Sequence, residues 1–334
     1  LDQSNHSDAA LDSVGYRHWP EGTEITLLSI IDLGLYDHDG WEVSRLLNLN
    51  KEEKNALAKR LQYLDSGKTS LERKHNSLKV FTKVIQGRAK EEIIRELRRE
   101  EPDLLIMGSH GRKGFQRLLL GSVAESVLIN SLCPVEIVKL KNCKIETETV
   151  SIDEDTEMEH FHYEFGQHKV MIAIQDLNCT SFIAGFLVNY PLPEDVEIKL
   201  VHSVLPLASH TYIDIEGMEM EMVNQVSTER WRLARKYLDQ MLKSIDLSTP
   251  YDYDKVQELI EEGDPKIILE NELNSWKPDL LILGSHGKKG LKSLGSVSRH
   301  LVTSSDCDVC VIPLLTKEEK EKRLKNEKKV HIIV

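Results

Sequence analysis

The sequence predicts an α/β protein made of two tandem doubly wound domains, each a mainly parallel sheet flanked by helices. Three observations carry this. The ten-residue string Pro102-Asp-Leu-Leu-Ile-Met-Gly-Ser-His-Gly111 returns at 278–287 with one change, Leu283 for Met107. The copies are 176 residues apart in a 334-residue chain, too far for stacked modules, so whole domains are duplicated. Short apolar runs rich in β-branched residues alternate with segments of helical spacing, the pattern of a sheet covered on both faces.

In the first half the pattern places a helix over 7–18, a strand over 24–31 and a helical region over 41–66. A strand over 78–85, a helix over 89–100 and a strand over 103–107 follow, then a helix over 121–131 and a strand over 135–140. The expected opening strand is missing, because the chain starts at Leu1, where that strand should end. The terminal run Lys328-Lys-Val-His-Ile-Ile-Val334 has the composition of such a strand. It is expected to fill the vacant slot of the first domain, by circular permutation or by exchange between chains. The absence of methionine at position 1 points to a fragment or a processed chain.

The second half reads as a strand over 169–175, a helix over 180–190, a strand over 196–203, a helix over 218–245 and a strand within 253–261. Gly263-Asp-Pro265 opens a helix, with proline in its favoured first turn. Strand 280–283, helix 295–304 and strand 309–314 complete it. The expected division is a first domain over 1–140, an acidic linker over 141–168, a second domain over 169–315, and a charged tail with a terminal strand over 316–334. Between Glu146 and Glu164 stand eight acidic residues and no Lys or Arg, which reads as a solvated linker.

A net charge of −12 disfavours a nucleic-acid partner, and no run approaches the roughly 20 apolar residues that span a bilayer. With no secretory segment, a cytoplasmic protein is expected. Five cysteines without an export signal read as free thiols, and Cys307-x-x-Cys310 as a buried structural pair, since no second ligand pair accompanies it. His160, His162 and His168 read as chance neighbours rather than a metal set. Ser66-Gly-Lys-Thr-Ser70 has the end of a phosphate-loop pattern, but Gln62 stands where its first glycine belongs, and it reads as a plain loop.

The chemistry lies in the glycines. In the first repeat they run Gly108-x-x-Gly111-x9-Gly121-Ser122. Gly108 ends a buried strand, and the missing side chains at Gly108 and Gly111 let a ligand lie against the backbone. Gly121 opens a helix, so the amides of Ser122 and Val123 face outward where negative charge is favoured, and Arg112 adds cationic reach. The second repeat has Gly284-x-x-Gly287 but only seven residues before Gly295-Ser296-Val297. Cys307 follows Gly295 at the distance at which Cys133 follows Gly121, so the deletion lies inside the loop.

These residues match a known pattern. Asp2-Gln3-Ser4 after a strand end, Met107-Gly108-Ser109-His110-Gly111, Gly121-Ser122-Val123 and Cys133-Pro134 resemble the universal stress protein family in its ATP-binding branch. The resemblance covers nearly both halves. It implies five-stranded sheets of the adenine nucleotide alpha hydrolase-like kind, with the last strands pairing the two domains inside one chain and leaving room for a homodimer. It also implies an adenine pocket near Asp2, Gln3, Ser4 and Ile31, beside Met107. Ribose and phosphates would lie on Gly108, Gly111, Arg112, Gly121, Ser122 and Val123. ATP or another adenine nucleotide is the expected ligand, with Mg²⁺ as an optional companion. A second site would use Gln175, Asp176, Val201, Leu283, Gly284, Gly287, Lys288, Gly295, Ser296 and Val297. There Gln stands where the family has Asp, or the Asp is displaced by one, so this site is either altered or empty.

The leading reading is an ATP-binding stress-response regulator with a competent first site and a modified second one. A slow ATPase or adenylyl-transferring enzyme is the alternative in the enzyme class, disfavoured because neither phosphate loop contains an acid. A nucleotide-free interaction scaffold is the other. His110 and His286 stand in the loops without a visible nucleophile or carboxylate beside them, and read as packing or ligand contacts.

Overall fold

The structure, a computed structural model, describes residues 1–17, 19–32, 50–110, 120–140, 144–153, 156–164, 169–188, 190, 192, 195–206, 220–248, 256–285, 294–314 and 330–334. The chain divides into two compact units, Leu1–Phe165 with Lys317–Val334, and Gly166–Thr316. The first runs α1 (Asn5–Gly15), β1 (Glu24–Ile31), α2 (Lys51–Lys74), β2 (Lys79–Gln86), α3 (Ala89–Glu100), β3 (Leu104–Gly108), α4 (Ser122–Asn130), β4 (Val135–Val138), β5 (Lys144–Asp153) and β6 (Thr156–Glu164). The second runs β7 (Lys169–Ala173), α5 (Leu177–Leu187), β8 (Glu197–Val204), α6 (Met220–Ser248), β9 (Val256–Glu262), α7 (Pro265–Trp276), β10 (Leu280–Ser285), α8 (Ser296–Ser304) and β11 (Asp308–Pro313). The chain then returns to the first unit as β12 (His331–Ile333).

Within the first unit the strand order is β2-β1-β12-β3-β4, and within the second β9-β8-β7-β10-β11, with the strand pairings inside each unit parallel. The terminal strand of the same chain therefore occupies the central slot between β1 and β3, as β7 does between β8 and β10. The repeated aspartate holds it there. Asp103 accepts a hydrogen bond from His331 N at 2.8 Å, and Asp279 accepts one from Lys169 N at 2.9 Å. Each of these aspartates follows a helix that stops the same way, on a left-handed residue before proline: Glu101 (φ 45°) before Pro102 and Lys277 (φ 50°) before Pro278.

The core lies on the central strands. β1 and β8 share one sequence of buried and half-buried positions, and Ile25, Leu27, Ile106, Ile172, Leu200 and Ile282 are almost wholly enclosed. Buried on both faces, these strands read as near-continuous apolar runs.

Two sequence readings are corrected. Much of the acidic stretch read as a solvated linker is an antiparallel hairpin, β5 with β6, registered from Lys144 opposite Glu164 to Asp153 opposite Thr156. Ser66–Ser70, read as a loop, lies inside α2. Gly67 is tolerated there because α1 comes close: a Cβ on it would lie 2.8 Å from Leu11 Cδ2. Residues 316–329 of the charged tail, His168 and the start of the helical region over 41–49 lie outside the described residues.

Candidate functional site

In the order β2-β1-β12-β3-β4 the chain direction of build-up reverses between β12 and β3, the crevice where open α/β sheets bind ligands. A cavity of about 540 Å³ lies there, of the size that takes a small-molecule ligand. Of the residues expected at the first site, it brings together Asp2, Met107, Gly108, Gly121, Ser122 and Val123. Gln3 and Ser4 stand behind it and shape the turn that carries Asp2. Ile31 is buried on the other side of its strand; period-two alternation turns Ile30 and Asp32 to the cavity instead. Gly111 and Arg112 lie outside the described residues.

The Asp2 turn is built by short polar side chains. Ser4 caps α1, its hydroxyl accepting from Ser7 N at 3.2 Å, while Ser4 N donates to Ser7 Oγ at 3.1 Å, a reciprocal capping box. Asp2 Oδ1 accepts from Ser4 Oγ at 2.6 Å and from Ser4 N at 3.1 Å. The carboxylate is thereby oriented from one side. Gln3 takes the left-handed conformation at φ 64°, a position that suits glycine.

At the other end the cap of α4 is Gly121, which offers the first amides of the helix no side-chain acceptor of its own. Its own N–H donates to Ser109 O at 3.0 Å, which draws the helix start onto the end of β3. Gly108 is required on steric grounds: a Cβ would lie 2.5 Å from the His6 carbonyl oxygen. His110 lines the cavity, and its ring faces that of His6 at 5.1 Å between centroids. Burial, then the nearby His110, pull the His6 pKa down to about 4. One end of the cavity thus carries a hydrogen-bond acceptor and the other a helix N-terminus.

The residues that sequence reasoning missed are chiefly the apolar wall. Ala89 and Ile93, one turn apart at the start of α3, both line the cavity, as does Ile333 of β12. Their i, i+4 spacing was visible; which way that face points was not.

The second unit differs in the same turn. Leu1 N donates to Leu28 O, and Ile174 N to Val201 O at 2.9 Å, which makes Leu1 and Ile174 equivalent. Ser4, the first helix cap, stands three residues beyond Leu1, while Asp176, the second cap, stands two beyond Ile174. Gln175 therefore takes the place of Asp2, and Asp176 caps α5 by accepting from Cys179 N at 2.8 Å. Val201 and Leu283 are buried. Gly284 stands under Cys179, whose Sγ would lie 2.8 Å from an added Cβ. Gly295 caps α8, with Ser296 and Val297 in its first turn. Ser298 donates to Gly284 O at 3.0 Å across the ground that Ala124 leaves open in the first unit. His286, Gly287 and Lys288 lie outside the described residues.

A family model described as the universal stress protein family matches residues 1–139 and 168–313. A universal stress protein of Methanocaldococcus jannaschii is 32% identical over 121 residues, covering 35% of this chain and 65% of that relative's length. A homologue of universal stress protein A from Coxiella burnetii is 25% identical over 126 residues, 35% of this chain and 75% of its own. The crystal structure of a universal stress protein from Archaeoglobus fulgidus aligns over 94% of both chains with a TM-score of 0.54 at 19% identity, a likeness of fold.

Proposed function

Because this chain belongs to the universal stress protein family, we propose that it binds an adenine nucleotide in the first unit and acts through the bound state as a stress-response regulator. The observation that supports this is the cavity at the strand-order reversal, with Asp2 at one end and the start of α4 at the other. A carboxylate accepts hydrogen bonds and suits the exocyclic amine of adenine; the open amides of Ser122 and Val123 suit phosphate oxygens. Mg²⁺ would arrive on the phosphates, keeping most of its waters. A ligand that binds only the folded, closed cavity stabilises that state by mass action, and this is how a nucleotide can regulate without turnover.

In the second unit we propose an altered site that does not take adenine. Gln175 replaces the carboxylate, and Asp176 is committed to capping its helix. Titration calorimetry with ATP, ADP and AMP on the purified chain tests the proposal, and absence of binding to all three would refute it. Mass spectrometry of the natively purified chain identifies which nucleotide it carries.

A further inference from the structure

The turn that carries Asp2 is held from outside the cavity by one face of α2. Lys59, Arg60 and Tyr63 each reach it. Lys59 O accepts from Gln3 Nε2 at 3.4 Å, and Arg60 Nη1 donates to Leu1 O at 2.8 Å. Tyr63 donates to Asp8, and its hydroxyl lies 3.4 Å from Ser7 Oγ. That Ser7 oxygen accepts from both Asp2 N, at 3.3 Å, and Ser4 N. Tyr63 and Arg60 are both buried, and neither lines the cavity. The turn needs such support, since its left-handed residue is glutamine rather than glycine and stores strain there. In the second unit, where the turn is shorter, α6 sets Tyr237 edge-on to His202 at 5.5 Å, and Arg230 Nη1 donates to Leu205 O.

We infer that Arg60 and Tyr63 are positioning residues for base recognition: from outside the site, they hold the Asp2 turn in the geometry that selects adenine. The inference rests on the nucleotide-binding reading above. It says more than that reading does, because it makes base selectivity a property of a helix face that touches no ligand. With its proton given to Asp8, Tyr63 anchors the first turn of α1 and offers its oxygen as a second acceptor to Ser7 Oγ, which also donates to Ser4 O at 3.0 Å; Ser7 in turn receives the Asp2 and Ser4 amides. The Arg60 bond fixes the Leu1 carbonyl, immediately before Asp2.

The test uses the full chain with Tyr63→Phe and, separately, Arg60→Met. Dissociation constants are measured for ADP and for inosine diphosphate, which replaces the exocyclic amine with a carbonyl, alongside the thermal midpoint. The wild type is expected to prefer ADP. In Tyr63→Phe that preference should fall about fivefold, the worth of one net hydrogen bond, and in Arg60→Met about tenfold, with inosine diphosphate binding little changed. A merely structural role would lower the midpoint and leave the ratio alone. If the wild type binds neither nucleotide, the nucleotide reading fails and takes this inference with it. If it prefers ADP and both variants keep that preference, the positioning role alone is overturned.

Discussion

The two units start from the same strand pattern and end in different turns. β1 and β8 bury the same positions in the same order, and the repeated aspartates anchor β12 and β7 alike. One residue then separates them: the first turn spends an extra position, Gln3, in a left-handed conformation and so presents Asp2, whereas the second goes directly to its cap at Asp176. A duplicated sheet is preserved by core packing, which constrains every buried position. A ligand turn is not, and a single deletion there changes which side chain meets the crevice.

The largest expected asymmetry is steric. Gly108→Ala drives a methyl into the backbone carbonyl of His6 and should cost about 2–3 kcal/mol, with nucleotide binding lost. Gly284→Ala crowds the Cys179 thiol, a side-chain end, rather than backbone, and touches Leu314 only at ordinary contact distance, and should cost about 1 kcal/mol. Urea unfolding of both variants checks this; equal losses would mean that the two strand ends are equally tight.

Next in size is the Asp2 carboxylate, proposed above to read the base. Asp2→Asn removes a charged acceptor and should weaken ADP binding on the order of 10- to 100-fold. Gln175→Asp in the second unit should create no new adenine site, because the turn there is a residue shorter. Equilibrium dialysis of both variants with ADP decides it.

The pH response should arise in both units, from His6 in the first and from His202, whose pKa burial also lowers, in the second. Folded His6 takes up its proton only near pH 4, whereas the unfolded side chain does so near 6.5, so the unfolded chain binds more protons between these values. Stability contributed by neutral His6 is therefore complete above about pH 6.5 and is lost as pH falls toward 4. His110, Asp2 and Lys139 are the electrostatic neighbours that shift this window. Urea midpoints measured from pH 7.5 to 4.5 should fall less steeply in His6→Gln than in the wild type. Asn178, two residues past the cap as His6 is, does not titrate, and Asn178→Ala should leave the slope unchanged.

Much of this architecture is readable without coordinates, for identifiable reasons. The helix expected over 89–100 stands at Ala89–Glu100 and the strand over 24–31 at Glu24–Ile31, because periodicity and flanking breakers agree there. The hairpin of β5 and β6 was hidden by its charge: the count of glutamates masks a period-two alternation in Ile145-Glu-Thr-Glu-Thr149 that pairing with a second such segment satisfies. Gly67 looked like a break because its reason, the close pass of α1, is a tertiary contact. At the site, the glycines are legible from their spacing between a strand end and a helix start, and Asp2 through the family resemblance. The Ala89 and Ile93 wall and the Arg60–Tyr63 support are not, since they depend on how α3 and α2 pack over the sheet.

The smallest expected effect isolates the extra residue itself. Gln3→Gly relieves left-handed strain but gives up the exposed bond to Lys59 O and meets a larger unfolded-state entropy, and should stabilise by less than about 0.5 kcal/mol, raising the thermal midpoint by less than about 2 °C. The second unit has no equivalent position to improve.

The stoichiometry of adenine nucleotide binding tests the difference between the units most directly. Calorimetry with ADP should give one equivalent per chain, abolished by Gly108→Ala and unaffected by Gly284→Ala. Two equivalents per chain, or binding that survives Gly108→Ala and disappears with Gly284→Ala, would contradict it.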